Sequence, residues 1–216
     1  MKSKLPMRRE FLRDSAIIFG GTLLNNKLMA TIQPARANER ILKIALVGCG
    51  DRGAGAVVNA LMSDDNTELV TMADVFRDKL DKAYITLSKI EKIKGRINVP
   101  EKNKFTGFDA YLKAIALADV VLLVTPPPFR PLHFEAAVRE GKHVFMEKPL
   151  ACDAPGIKKI LETGKLATSK NIKVVVGLQN RYDPKLIETV KRLKDGAIGD
   201  IISATDYYLI GPITRL

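Results

Sequence analysis

Histidine, cysteine and tryptophan are the scarce residues of this chain. Its 216 residues include two histidines, His133 and His143, two cysteines, Cys49 and Cys152, and no tryptophan. Two cysteines cannot make a disulfide framework, and no CxxC or mixed Cys/His spacing suited to zinc occurs. The scarcity of imidazole also argues against a histidine-based metal centre. His143, inside an apolar run, reads as structural, and Cys152 as a small buried residue. No stretch of about 20 apolar residues is present, so no stable membrane span is expected. Basic residues are in excess, at a formal net charge of +11, but residues 1–37 alone hold seven Lys and Arg against two Asp and Glu. Nowhere do they run together with interleaved aromatics, which argues against nucleic acid as a partner and for a solvated lysine-rich face. What remains is a globular composition, 46% hydrophobic, enough for one full-sized core and at most a fragment of a second.

The first 37 residues have a pattern of their own. Arg8-Arg9-Glu10-Phe11-Leu12 precedes an uncharged, modestly apolar stretch over residues 15–26, and Ala35-Arg36-Ala37 supplies an A-x-A cleavage site. Paired arginines ahead of a short apolar region mark a twin-arginine export signal. Residues 1–37 are therefore expected to be a signal peptide, and the mature protein periplasmic. The alternative is an amphipathic N-terminal helix that stays attached. The twin-arginine route carries proteins that have already folded, often around a cofactor acquired in the cytoplasm.

Residues 38–198 carry the chemistry. Leu42–Val47 (LKIALV) has the character of a buried parallel strand, and Gly48-Cys49-Gly50-Asp51-Arg52-Gly53 follows it before a helix over residues 54–62. This fits G-x-G-x-x-G. One glycine permits the tight turn, one lets backbone approach a pyrophosphate, and one lets the helix pack on the strand, with the phosphates at the helix N-terminus. A second apolar strand over residues 68–73 ends in Asp74, 21 residues beyond Gly53. A carboxylate there can hydrogen-bond the adenosine ribose hydroxyls, and its charge opposes the 2′-phosphate of NADP. NAD is the expected cofactor and NADP the less favoured one, although Arg77 partly offsets the repulsion. The competing reading is a glycine-rich turn in some other α/β protein.

Downstream, helices and strands alternate. One helix and a polar connection occupy residues 75–104, a helix residues 108–118, and a third buried strand residues 119–124. Thr125-Pro126-Pro127-Pro128 leads into a helix running to Glu140, closed by Gly141 in the usual terminating position. A fourth strand over residues 142–146 ends at Glu147-Lys148-Pro149. Then come the helix Ala154–Ser169 with Asp153 as N-cap, a fifth strand over residues 173–178, a helix over 184–195 and a turn over 196–199. The pattern predicts a doubly wound parallel sheet, an α/β Rossmann domain, whose ligand lies at the carboxyl ends of the strands. Thr125, Glu147, Lys148 and Gln179 fall there. Residues 200–209 read as a long strand with no partner, so residues 199–216 are expected to begin a second, truncated α/β domain.

At this point the residues resemble the glucose-fructose oxidoreductase / inositol dehydrogenase (Gfo/Idh/MocA) family, over roughly residues 41–209. The match rests on the GCGDRG loop, the Thr125-Pro126-Pro127 element followed by His133, and GKHVFMEKPLA from Gly141 to Ala151. GLQNRYDP and GAIGDIISA extend it. The resemblance implies that Thr125 and Pro126 lie against the nicotinamide ribose, and Glu147 and Lys148 near the nicotinamide. It also implies that Lys148 relays a proton from a sugar hydroxyl while hydride passes to the cofactor, and that full-length members associate through a second domain, which holds the family's acid/base pair. From the residues alone, a lysine at this strand end orients a hydroxyl or, with its pKa lowered by burial, acts as a base. The alternative is that it anchors a phosphate or a neighbouring carboxylate. His133 either contacts the cofactor or caps its turn. Arg181 either reaches the cofactor or a substrate oxygen, or forms a surface ion pair.

Three functions follow as expectations. The first is hydride transfer between a sugar or polyol hydroxyl and NAD, held tightly because the periplasm offers little free NAD. The second is glycoside cleavage by transient sugar oxidation and elimination. The third is a non-catalytic NAD-binding module.

Overall fold

Alternating side chains along the strands decide the layers. In β1 (Leu42–Val47) Ile44 and Leu46 join one apolar cluster, while Ala45 and Val47 join another on the opposite face. A strand with both faces apolar must be covered on both sides, which is the situation of a central parallel strand. The computed structural model describes residues 40–207 and residue 209. The signal peptide and cleavage site read in residues 1–37 lie outside the described residues.

After β1 come α1 (Asp51–Ser63), β2 (Thr67–Asp74), α2 (Arg77–Ser88), β3 (Lys104–Thr106), α3 (Ala110–Ala116) and β4 (Val120–Leu123). They are followed by α4 (Arg130–Arg139), β5 (His143–Met146), α5 (Ala154–Ser169), β6 (Val174–Val176) and α6 (Pro184–Lys194). The six strands run parallel in the order β3-β2-β1-β4-β5-β6. The order reverses between β1 and β4, and a crevice opens at such a switch point outside the carboxyl ends of the strands. Helices α1 and α2 cover one face through Val57, Leu61, Leu80 and Leu87. Helices α3, α4 and α5 cover the other through Ile115, Phe134, Val138 and Ile160.

Two features depart from expectation. A short strand, β3, lies in the stretch expected to be a helix and a connection. It pairs only with Met72, Ala73 and Asp74 at the end of β2, too few residues to show a period of two. Conversely, the strand expected over residues 200–209 is absent from residues 200–207 and 209. A strand exists only where a neighbour accepts its ladder hydrogen bonds, and among the described residues these find none; Ile201, Ile202, Tyr207 and Leu209 are exposed. Helix α6 likewise buries no residue, leaving Leu186, Ile187 and Val190 at the surface. No helix among the described residues is long and apolar enough to cross a membrane.

Candidate dinucleotide site

The three glycines of the loop after β1 do three different jobs. Gly48 has a φ of +100°, and a Cβ on it would stand 2.6 Å from the Thr125 amide nitrogen, so the loop lies directly against the end of β4. A Cβ on Gly53 would stand 2.0 Å from the Gly48 carbonyl oxygen, which seats the first turn of α1 under the loop. A Cβ on Gly50 would meet nothing within 4 Å. Gly50 is also the N-cap of α1, with extended backbone and no side-chain cap. The first amides of a helix have no intrahelical acceptor and carry the positive end of its dipole. The loop is therefore a cradle for an anion, with room for it at Gly50. Asp51, exposed in that first turn, faces the Lys82 ammonium at 3.5 Å.

Asp74, at the end of β2, shapes the same loop. Its Oδ2 accepts from the Cys49 amide at 2.6 Å and its Oδ1 from the Phe76 amide at 2.9 Å. Burial, reinforced by this carboxylate, holds the Cys49 thiol well above its usual pKa. Cys49 is thus an inert core residue whose Sγ donates to the Ala73 carbonyl at 3.5 Å.

A cleft of about 1340 Å³ runs along the carboxyl ends of the strands. Gly48, Gly50, Asp51, Arg52, Asp74, Thr125, Pro126, His133, Glu147, Lys148 and Gln179 all line it, so eleven of the expected site residues share one hollow. Gly53 lies beneath the loop. Pro127 opens the 3-10 turn Pro127–Phe129 and faces a smaller hollow beside Cys152. Arg181, in the turn Gln179–Tyr182, is exposed and off the cleft wall. Cys152 is exposed rather than buried, because it sits in the loop before α5 and not on the sheet.

His133 is 5% exposed, and burial pushes its pKa down to about 4, which leaves the ring neutral. Its Nδ1 shares a hydrogen bond of 3.2 Å with the Thr125 hydroxyl, and the ring stacks on Tyr111 with centroids 4.1 Å apart. His143 is structural: its Nδ1 accepts from the Lys173 amide at 3.1 Å, tying β5 to the start of β6.

Glu147 is 4% exposed. Its Oε1 pairs with the Arg52 guanidinium, and its Oε2 accepts from the Lys148 amide at 3.3 Å. Lys148 itself is exposed on the cleft wall. The chain has already left the sheet at that residue, two positions beyond the end of β5. The Lys148–Pro149 peptide is cis.

Arg130 was not visible as a site residue in the sequence, where it looks like any polar residue opening a helix. It is 5% exposed and lines the cleft. Its Nη1 donates to the Pro149 carbonyl and its Nε has no partner, while burial lowers its pKa and the Glu147 charge opposes that shift.

Strand order, glycine cradle and the carboxylate at the end of β2 together fit a dinucleotide, and the comparison with known proteins agrees. GFO_IDH_MocA, described as an oxidoreductase family with an NAD-binding Rossmann fold, matches residues 42–178. The chain belongs to this family. Its cofactor is NAD: the GCGDRG loop and Asp74 lie within the matched NAD-binding fold. Among Gfo/Idh/MocA relatives, inositol 2-dehydrogenase of Rhizobium meliloti is 27% identical over 164 residues, 76% of this chain and 44% of that protein. A glycosyl hydrolase family 109 protein of Shewanella putrefaciens is 21% identical over 221 residues, 94% of this chain and 46% of its own length. Scyllo-inositol dehydrogenase from Lactobacillus casei, solved with NAD(H) and scyllo-inositol, superposes with a TM-score of 0.58 at 28% identity. That alignment covers 74% of this chain and 43% of that one. The chain spans less than half the length of these relatives.

Proposed function

We propose that this chain supplies the cofactor-binding half of an exported enzyme that moves hydride between a sugar or polyol hydroxyl and tightly held NAD. The observation that carries the reading is the position of Lys148. It stands at the carboxyl end of β5, on the wall of the cleft that also contains the Gly50 cradle. When bound, NAD supplies the hydride acceptor. Gly48, Gly50 and the first turn of α1 hold its pyrophosphate, and Asp74 faces its adenosine ribose. The Thr125 hydroxyl, oriented by His133, is placed to bind the nicotinamide ribose together with Pro126. Lys148 Nζ is placed to hydrogen-bond a substrate hydroxyl; as the neutral amine it would take the hydroxyl proton as hydride leaves for NAD, and as the ammonium it would return that proton in the reverse direction. Arg181, off the cleft wall, is assigned no part in this reading. The groups that complete the substrate site belong to a second domain of the kind the family resemblance implies, through which the full-length form associates with itself.

Export follows from the twin-arginine pattern of residues 1–37 and makes freely exchanging NAD a poor oxidant, which favours a captive cofactor reoxidised within each cycle. A second reading, NAD-dependent glycoside cleavage, is favoured by one observation. The match to the Shewanella glycosyl hydrolase covers 94% of this chain and so takes in part of residues 1–41, which lie outside the family match. Mass spectrometry of the small molecule released on denaturing the purified, exported protein tests the captive cofactor. Stoichiometric NAD is expected, followed by turnover of sugars or glycosides without added NAD. An empty protein would refute retention and leave a dehydrogenase that draws NAD from solution.

A further inference from the structure

Glu147 is held from every side. Its Oε1 meets Arg52, its Oε2 takes the Lys148 amide, and Arg130, buried beside it, adds positive charge. Glycine at position 177 makes the room: a Cβ there would stand 2.9 Å from Oε1 and 3.1 Å from the carboxyl carbon. The Glu147 side chain is 5% exposed and that of Arg52 53%. One end of the ion pair is therefore a fixed post in the end of the sheet, and the other a movable arm on the first turn of α1.

The two ends come from different elements around the cleft, since Arg52 is part of the glycine loop after β1 and Glu147 follows β5, and both line it. We infer that the Arg52–Glu147 pair is a clasp across the dinucleotide cleft, which slows release of NAD. The inference rests on the NAD reading of the cleft and adds to it the element that makes the cofactor captive. A pair that bridges residues on the cleft must open before the cofactor can leave. An arm that is half in solvent can open and close, and salt weakens its hold.

The test is stopped-flow release of NADH from the full chain, followed by its fluorescence on displacement with excess NAD. Arg52→Gln is expected to speed release by up to about fivefold. Glu147→Gln is expected to do the same, and the double variant to release no faster than either single one, because each breaks the same pair. Added salt should speed release from the parent and much less from Arg52→Gln. Three results would overturn the clasp: unchanged release in both single variants, additive effects in the double variant, or slower release from Glu147→Gln. The last would mean that Arg52, once freed, binds the cofactor itself. Arg52 is exposed, so its variant is expected to fold, and matching melting curves would confirm that it does. Failure of the parent to bind NADH would overturn the NAD reading of the cleft, and the clasp with it.

Discussion

Single atoms separate structural from functional glycines in the loop after β1. At Gly53 an added methyl collides with the Gly48 carbonyl, whereas at Gly50 it enters open space. Gly53→Ala should therefore cost stability by overpacking, about 1–3 kcal/mol. Gly50→Ala should melt close to the parent, since its φ of −70° suits alanine, yet lose NADH affinity by about tenfold because the methyl fills the anion cradle. Melting curves paired with NADH titrations check both, and an unchanged affinity in Gly50→Ala would place the phosphates elsewhere. His133 sets a pH dependence. Its pKa falls from 6.5 to about 4 on folding, so above about pH 6.5 the ring is neutral in both states and imposes no penalty. As the pH falls from 6.5 towards 4 the unfolded chain takes up a proton that the folded one refuses. Stability should then drop by about 1.4 kcal/mol per pH unit and level off below pH 4. His133→Phe, which keeps a ring against Tyr111, should flatten that part of a urea-unfolding profile.

Elements with strong end signals were legible in the sequence, and those defined by partners were not. Helix α5 runs over the residues expected, because Asp153 announces its start and accepts from the Gly156 amide at 2.8 Å. Asp153→Ala should cost about 1 kcal/mol in chemical denaturation, and a cost near zero would mean that packing of Ile160 and Ala167 alone sets the helix. Gly141, at a φ of +72°, ends the helix before β5 as its position suggested. β1 and β2 showed themselves by apolar runs, and Asp74 by its distance from the glycines. β3 left no such trace, since three residues define no alternation and their strand character comes from the end of β2. The strand expected over residues 200–209 failed for the same reason reversed: β-branched composition gives propensity, but pairing makes the strand. In the cleft, Asp74 and Thr125 could be read from their places after strands. Arg130 and the Arg52–Glu147 contact could not, because they arise from side chains brought together across the sheet.

At the scale of the whole molecule, Gly48, Asp74, Thr125, Glu147 and Gln179, far apart in the chain, are gathered in one cleft because each lies at or just after the carboxyl end of a parallel strand. Among the described residues the opposite rim carries the return connections over residues 64–66, 89–103, 117–119, 140–142 and 170–173. The two rims should therefore differ in tolerance to insertion. A short glycine-serine segment placed within residues 64–66 should leave NADH affinity within about twofold, while the same segment between Pro126 and Pro127 should abolish it. Equal losses at both rims would mean that the sheet does not insulate one from the other. The rim away from the cleft is thus the molecule's handle: a surface-attachment point, a fluorophore or a fused domain fixed there would leave the cofactor's door facing outward.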